Sequence, residues 1–253
     1  MSRCHRAAAV GGVLLLCGML SGVPAGAADV GAPRPVPGPP RLANAAQFGT
    51  IALFNGRNLD GLQPFLDDPA ADPAKTWSVG DGVLRATGTP SGYVRTLIAY
   101  ADYRLHVEWR WPKAGGNSGV VLHIVNRDEV WPKGFEVNML SGRAGDFASF
   151  WDARGREEKG GRIANRYSTG RLERHGPANV EKPPGEWNAF DIVAAGDTLT
   201  VTLNGTEVNR MTGVSPSAGM IALQSEGAPV EFRNFTLTPL PPAKDLQTLV
   251  PAQ

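Results

Sequence analysis

Cysteine is almost absent from this sequence: there are two in 253 residues, Cys4 and Cys17, both near the N-terminus. No disulfide framework and no cysteine-based metal site can organise the rest of the chain. Histidine is also scarce, at four, and the spacing of His106, His123 and His175 does not suggest a three-histidine zinc centre. There is no phosphate-binding loop, dinucleotide fingerprint, H-E-x-x-H helix or G-x-S-x-G nucleophile elbow. No excess of one charge exists either. The 25 Lys and Arg against 24 Asp and Glu give no reason to expect nucleic acid or an anionic membrane surface as partner. Amphipathic helical periodicity of useful length is missing as well.

Turn formers are plentiful. Gly at 31 and Pro at 21 predict many turns and short regular elements. The N-terminus reads as a signal peptide over 1–27. Arg3, His5 and Arg6 form a positive start, residues 7–20 an uncharged apolar run, and Ala25-Gly26-Ala27 a small-residue cleavage site. The run is too short to span a bilayer comfortably, so the mature form is expected to lack a membrane span and to be secreted or periplasmic. Cleavage would remove both cysteines and two arginines, taking the formal charge from +1 to near −1. Residues 28–47 read as a linker rich in Pro, Gly and Ala, 48–240 as one domain, and 241–253 as a tail.

Inside the domain the apolar period is 2. In 104–111, Leu105, Val107, Trp109 and Trp111 share one face, and Arg104, His106, Glu108 and Arg110 the other. Residues 198–203 alternate in the same way. Asn204-Gly205 follows and predicts a two-residue hairpin with positive φ at both positions. Phe190 with Ile192, and 220–224, mark further strands. In the last strand Val230 and Phe232 share one parity, Phe235 and Leu237 the other. That flip predicts a β-bulge at Arg233-Asn234. Many short strands with glycine-rich turns predict an all-β domain of two packed antiparallel sheets. Residues 141–184 read as the longest irregular region, with a basic, glycine-rich centre at the surface.

Four clusters can carry chemistry. In 115–123 the glycines permit tight turning, Asn117 and Ser118 open a strand, and His123 follows Val121 on one parity as a group able to move a proton. The plain alternative is turn chemistry and a surface histidine. In 131–138, Glu136 and Asn138 share a strand face opposite Phe135, Val137 and Met139. That pair suits sugar hydroxyls or proton abstraction, and Trp131 suits stacking on a pyranose. In 223–227, Gln224 and Glu226 either reach the same cleft or only shape a turn. Residues 181–188 read as a rigid loop before a strand.

Taken in order, these pieces resemble the 3-keto-disaccharide hydrolase domain family. The resemblance rests on Phe54-Asn55-Gly56, Leu59-Asp60-Gly61, Asp81-Gly82-Val83-Leu84, Asn117-Ser118-Gly119, Gly134-Phe135-Glu136-Val137-Asn138, Gly185-Glu186-Trp187-Asn188 and Leu223-Gln224-Ser225-Glu226-Gly227. It implies a concanavalin A-like jelly-roll sandwich and cleavage of glycosides oxidised to a ketone at C3. A separate sugar 3-dehydrogenase would supply the ketone. The family usually has Gln where this chain has Asn138. On that resemblance, Glu136 or His123 is the expected base and Glu226 the acid. Asn117, Ser118, Trp131, Lys133, Asn138, Asp146, Lys182 and Gln224 are the expected substrate contacts. A divalent cation is a further candidate at the enolate. Two rivals share the fold. A non-catalytic carbohydrate-binding module would use the same side chains. A laminarinase-like glucanase needs E-x-D-x-x-E, and the strand here reads Glu136-Val137-Asn138-Met139-Leu140-Ser141.

Overall fold

The computed structural model describes residues 49–125, 129–157, 162–164, 167–175, 177 and 180–241. The leader, the linker and all of the tail but Pro241 lie outside the described residues. Among the described residues the one helix is a single turn, α1 (Pro73–Thr76), started by the Asp72 side chain accepting from Ala74 N. No helix among them is long and apolar enough to cross a membrane. Everything else regular is strand, paired antiparallel into two sheets.

The larger sheet contains β1 (Ile51–Ala52), β3 (Trp77–Gly80), β4 (Val83–Ala86), β6 (Tyr103–Arg110), β10 (Arg154–Glu157), β11 (Arg162–Ala164), β13 (Asn188–Ala195), β14 (Thr198–Leu203), β15 (Thr206–Ser215) and β17 (Val230–Pro239). Its order is β11-β10-β15-β14-β13-β6-β17-β4-β3, with β1 also on β17. The smaller sheet contains β2 (Leu62–Leu66), β5 (Gly92–Thr96), β7 (Gly119–Ile124), β8 (Gly134–Asn138), β9 (Phe147–Phe150), β12 (Tyr167–Leu172) and β16 (Met220–Ser225). Its order is β12-β9-β8-β7-β16-β5-β2. This is the all-β jelly-roll sandwich expected from the sequence.

One core lies between the sheets. Leu105, Val107 and Trp109 of β6, with Trp111 just beyond, meet Phe190 and Ile192 of β13 and Phe232 and Phe235 of β17. The smaller sheet contributes Val94, Val120, Leu122, Phe135, Val137, Phe147, Ile221 and Leu223. Each large side chain buried there contributes roughly 1.5–3 kcal/mol of transfer free energy. The alternating strands therefore have a strong reason to keep their register.

Local turn chemistry agrees. Asn204 and Gly205 take φ of 48° and 83° between β14 and β15. Asp81 and Gly82 do the same between β3 and β4, at 55° and 74°. The expected bulge in β17 is present: Asn234 has φ 51°, the register shifts between Arg233 and Thr236, and Phe232 and Phe235 both point into the core.

The stretch 141–184 departs from expectation. Instead of one irregular loop it carries β9, β10, β11 and β12. These are peripheral strands, and β10 and β12 are held by pairing to β15 and β9. Such pairing can impose strand geometry where the local apolar pattern is weak.

Candidate functional site

The site grows from the alternation in β8. Phe135 and Val137 go into the core, so Glu136 and Asn138 must emerge on the outer face of the smaller sheet. Both are nonetheless buried, at 4% and 7% exposure. Neighbouring strands complete the face by register. Val121 sits beside Glu136, Gly119 beside Asn138, and Ala148 on the other flank of Glu136. On β16, Ala222 pairs with Val121 and Gln224 with Tyr93 of β5. Glu226, two residues beyond Gln224, is bridged to Asn117.

Gly119 lets two of these side chains meet. A β-carbon there would stand 2.5 Å from Gln224 Oε1 and 2.7 Å from Glu136 Oε1. Both oxygens thus lie over one glycine. Asn138 Nδ2 donates to Glu136 Oε1 at 2.9 Å, and Asn138 Oδ1 accepts from Leu140 N at 2.5 Å. The Gln224 amide is 1% exposed, and neither Oε1 nor Nε2 has a hydrogen-bond partner. Asn117 Oδ1 is buried and unpartnered too. Such groups are rare in a fold unless a ligand or water completes them. Glu226 is half-buried; desolvation pushes its carboxyl up from the ordinary value, partly offset by a hydrogen bond from Asn117.

The remainder of this face is apolar. Tyr93, Val121, Ile124, Phe150 and Ala222 form a second buried cluster, with Phe65, Trp131, Trp151 and Met220 packed on it. Phe65 stacks on Tyr93 with centroids 5.1 Å apart, and Trp131 lies tilted on Phe150 at 5.8 Å. Trp151 Nε1 donates to Trp131 O at 2.7 Å, fixing that corner. Of this floor the sequence pointed to Trp131 alone; the steric part played by Gly119, and the places of Tyr93, Phe65, Phe150 and Trp151, were not foreseen. The available signals were the glycine directly after Asn117-Ser118 and the alternation of Tyr93 and Phe65 with core residues.

Two expected members belong elsewhere. His123 does not share a face with Val121. Its φ is +57°, and the register between β7 and β16 shifts between Met220 and Ala222, so the chain bulges and the parity flips. Gly219 makes room, since a β-carbon there would stand 2.3 Å from the His123 carbonyl carbon. The imidazole points inward, edge-on to Tyr103 and Phe135 with centroids at 5.9 and 6.3 Å. Its Nδ1 bonds Pro216 O at 3.0 Å while Nε2 has no partner. Burial lowers its pKa to about 4. A proton acceptor on the core side of the sheet cannot reach a substrate at Glu136, so the expectation of His123 as base is withdrawn. Ser118 is also on the core side, fully buried, its hydroxyl donating to Gln224 O at 2.9 Å. It holds β7 to β16 and does not face a sugar.

Three more have structural partners. The Asp146 carboxylate accepts from Arg143 Nε at 2.9 Å and Arg174 N at 2.8 Å, tying two loops. Lys133 pairs with Asp152 at 2.7 Å. Lys182 Nζ donates to Trp187 O at 2.9 Å. The Trp187 ring lies 4.5 Å from the Arg110 guanidinium and 4.1 Å from that of Arg233. Those arginines are themselves bonded to Glu231 and Glu108. The fourth cluster is thus a rigid loop stapled to the larger sheet, as its plain reading held.

The structure therefore brings Glu136, Asn138, Gln224, Glu226 and Asn117 onto one outer face, with Trp131 in its apolar part. Among the described residues no three His, Cys, Asp or Glu side chains gather as a metal site.

Residues 49–238 match the profile of the 3-keto-alpha-glucoside-1,2-lyase-like domain family. No match is found among curated proteins. Two solved structures from Parabacteroides distasonis ATCC 8503, each provisionally described as a glycosyl hydrolase, have the same fold. One has TM-score 0.57 at 21% identity over 78% of this chain and 97% of that one. The other has TM-score 0.55 at 24% identity over 76% and 100%. LamAcat from Zobellia galactanivorans is similar at TM-score 0.50 and 8% identity, over 75% of this chain and 96% of that one.

Proposed function

Because this chain belongs to the 3-keto-alpha-glucoside-1,2-lyase-like domain family, we propose that it cleaves glycosides whose sugar carries a ketone at C3. The ketone acidifies the hydrogen at C2. Glu136 takes that proton, and the C2–H electron pair forms an enolate with its charge on the C3 oxygen. Gln224 Nε2 donates to that oxygen. The enolate then expels the C1 substituent: the C1–O bond breaks, a C1–C2 double bond forms, and Glu226 gives its proton to the leaving oxygen. Water adding across that double bond completes net hydrolysis.

One observation carries this reading: an acceptor carboxylate and a buried, unpartnered amide meet over Gly119, two residues of chain away from a carboxyl whose pKa is raised. Base, enolate donor and acid are the three groups the elimination needs. Donors placed at developing charge are typically worth 10²–10³ in rate. Trp131 and the aromatic floor would carry the apolar faces of the bound glycoside. Export through the leader expected over 1–27 would place the reaction outside the cytoplasm, downstream of a dehydrogenase that makes the ketone.

The test is a product assay by mass spectrometry on 3-keto and unmodified glycosides, with and without chelator. Release of the C1 substituent from the 3-keto substrate alone, lost in Glu136→Gln, supports elimination. Equal cleavage of unmodified sugars overturns it. Saturable binding without any release would instead favour a carbohydrate-binding module using the same face. A chelator effect would show a cation assisting the enolate.

A further inference from the structure

Asn138 is oriented by the backbone. Leu140 N–H can only donate, so the side-chain atom 2.5 Å from it is the Asn138 carbonyl oxygen. The amide nitrogen is then turned to Glu136, and donates to Oε1 at 2.9 Å. Asn138 is 7% exposed, and each end of its amide already has a partner. A donor hydrogen-bonded to a carboxylate favours the ionised, acceptor-only form. We propose that Asn138 is a positioning residue, which fixes the rotamer of Glu136 and keeps its carboxylate available as a base, and that it does not itself hold the sugar. This rests on the elimination reading above.

The length of the side chain matters. From Asn138 the amide spans Glu136 on its own strand and Leu140, two residues past the end of that strand. A glutamine, one methylene longer, would carry its amide a bond further from the backbone than this span, toward a point over Gly119 that the Glu136 and Gln224 heads already fill. Gly119 and Val121 on β7 and Ala148 on β9 have no ionisable group. Asp146, bonded through its backbone oxygen to Asn138 N, keeps its carboxylate on Arg143 Nε and Arg174 N, and Arg171 of β12 pairs in register with Ala148. The titratable or charged groups that share this face on β16 and β5, among the described residues, are Glu226, Tyr93 and Arg95.

The decisive variant is Asn138→Asp. It keeps an oxygen toward Leu140 N but replaces the donor beside Glu136 with a second carboxylate. Two carboxylates so close do not ionise together readily, and one of them is driven up. With a 3-keto glucoside as substrate, the acid limb of kcat/KM is expected to move up by at least about one pH unit, with activity above the limb restored to within about tenfold and KM little changed. A 13C-carboxyl NMR titration of Glu136 in the same variant is expected to move in the same direction, and needs no turnover. An unmoved limb and an unmoved titration overturn the proposal, as does a uniform loss at every pH with raised KM, the mark of a direct sugar contact. If the wild-type protein releases nothing from 3-keto glycosides, the elimination reading fails, and the NMR titration still decides the role of Asn138. Should the aspartate variant not fold, Asn138→Ser removes the same donor and is expected to move the titration the same way.

Discussion

The Glu136 carboxylate and the Gln224 amide, on strands separated by β7, meet over the missing side chain of Gly119. Alanine usually suits a strand better than glycine does, because glycine loses more backbone entropy on folding. Here the added methyl would press on two polar heads at 2.5 and 2.7 Å. Gly119→Ala is therefore expected to leave a folded protein, destabilised by about 1–3 kcal/mol from overpacking. Its turnover of 3-keto glycoside should fall about 100-fold, because both heads are pushed off their positions. Urea unfolding and steady-state kinetics check it. Unchanged turnover would mean that the meeting point is not where the reaction occurs.

Gln224 makes the opposite separation. Its amide is buried with no partner, so replacing it with an apolar side chain of similar size removes an uncompensated polar group. Gln224→Leu is expected to raise unfolding free energy by about 1 kcal/mol while lowering kcat by about 10²–10³-fold. Stability gained together with activity lost marks a group held for its ligand. A variant that loses both would place Gln224 in the ordinary packing of the sheet.

Glu226 is expected to control the basic limb of the pH–rate profile. Burial raises its pKa, so it stays protonated further toward neutral pH than an exposed glutamate would. An acid loses function once deprotonated, so activity should fall as pH rises through that raised value. Glu226→Gln should abolish the limb and lower kcat by about 10²–10⁴-fold for a poor leaving group. The loss should be much smaller for a nitrophenolate, which departs without a proton. Equal losses with both leaving groups would remove Glu226 from the acid role.

How much of this was legible in the sequence depends on whether apolar residues reported the parity. In β17 they did: Phe232 and Phe235 are both large and both core, so the bulge between them was readable from spacing alone. In β8 the alternation of Phe135, Glu136, Val137 and Asn138 fixed the faces correctly. In β7 the run Val120-Val121-Leu122 is apolar on both faces, because its outer face is covered by Tyr93, Phe150 and Ala222. Period 2 then gives no information, and the flip at His123 was invisible. The strands over 147–172 were missed for a related reason. Phe147 and Phe150, three residues apart, face opposite sides of their sheet. β10, β11 and β12 show no clear apolar alternation, although β9 pairs with β8 and β10 with β11 close by in sequence. The site itself was readable as residue types, but Gly119 acts through an absent side chain that no pattern of present ones reveals.

His123 gives the last prediction, and it concerns stability. Its imidazole is fully buried against Tyr103 and Phe135, and burial lowers its pKa from the ordinary 6.5 to about 4. A lowered folded-state value means that the unfolded chain takes up the proton first as pH falls. Folding free energy should therefore be insensitive to His123 above pH 6.5 and should decline between 6.5 and 4, flattening below. Between pH 7 and 4.5 the linkage amounts to about 2 kcal/mol. Carboxylates titrate in the lower part of that window too, so the useful quantity is a difference between proteins. His123→Asn keeps a residue that tolerates the left-handed backbone at φ +57° and has no proton to gain. It should be less stable than the parent at pH 7, through lost packing and the broken bond to Pro216 O. Its own decline between pH 7 and 4.5 should be about 2 kcal/mol shallower than the parent's. Urea unfolding at the two pH values decides it. Parallel declines in the two proteins would show that the imidazole can be protonated where it stands, and the core around it would then be wetter than its contacts imply.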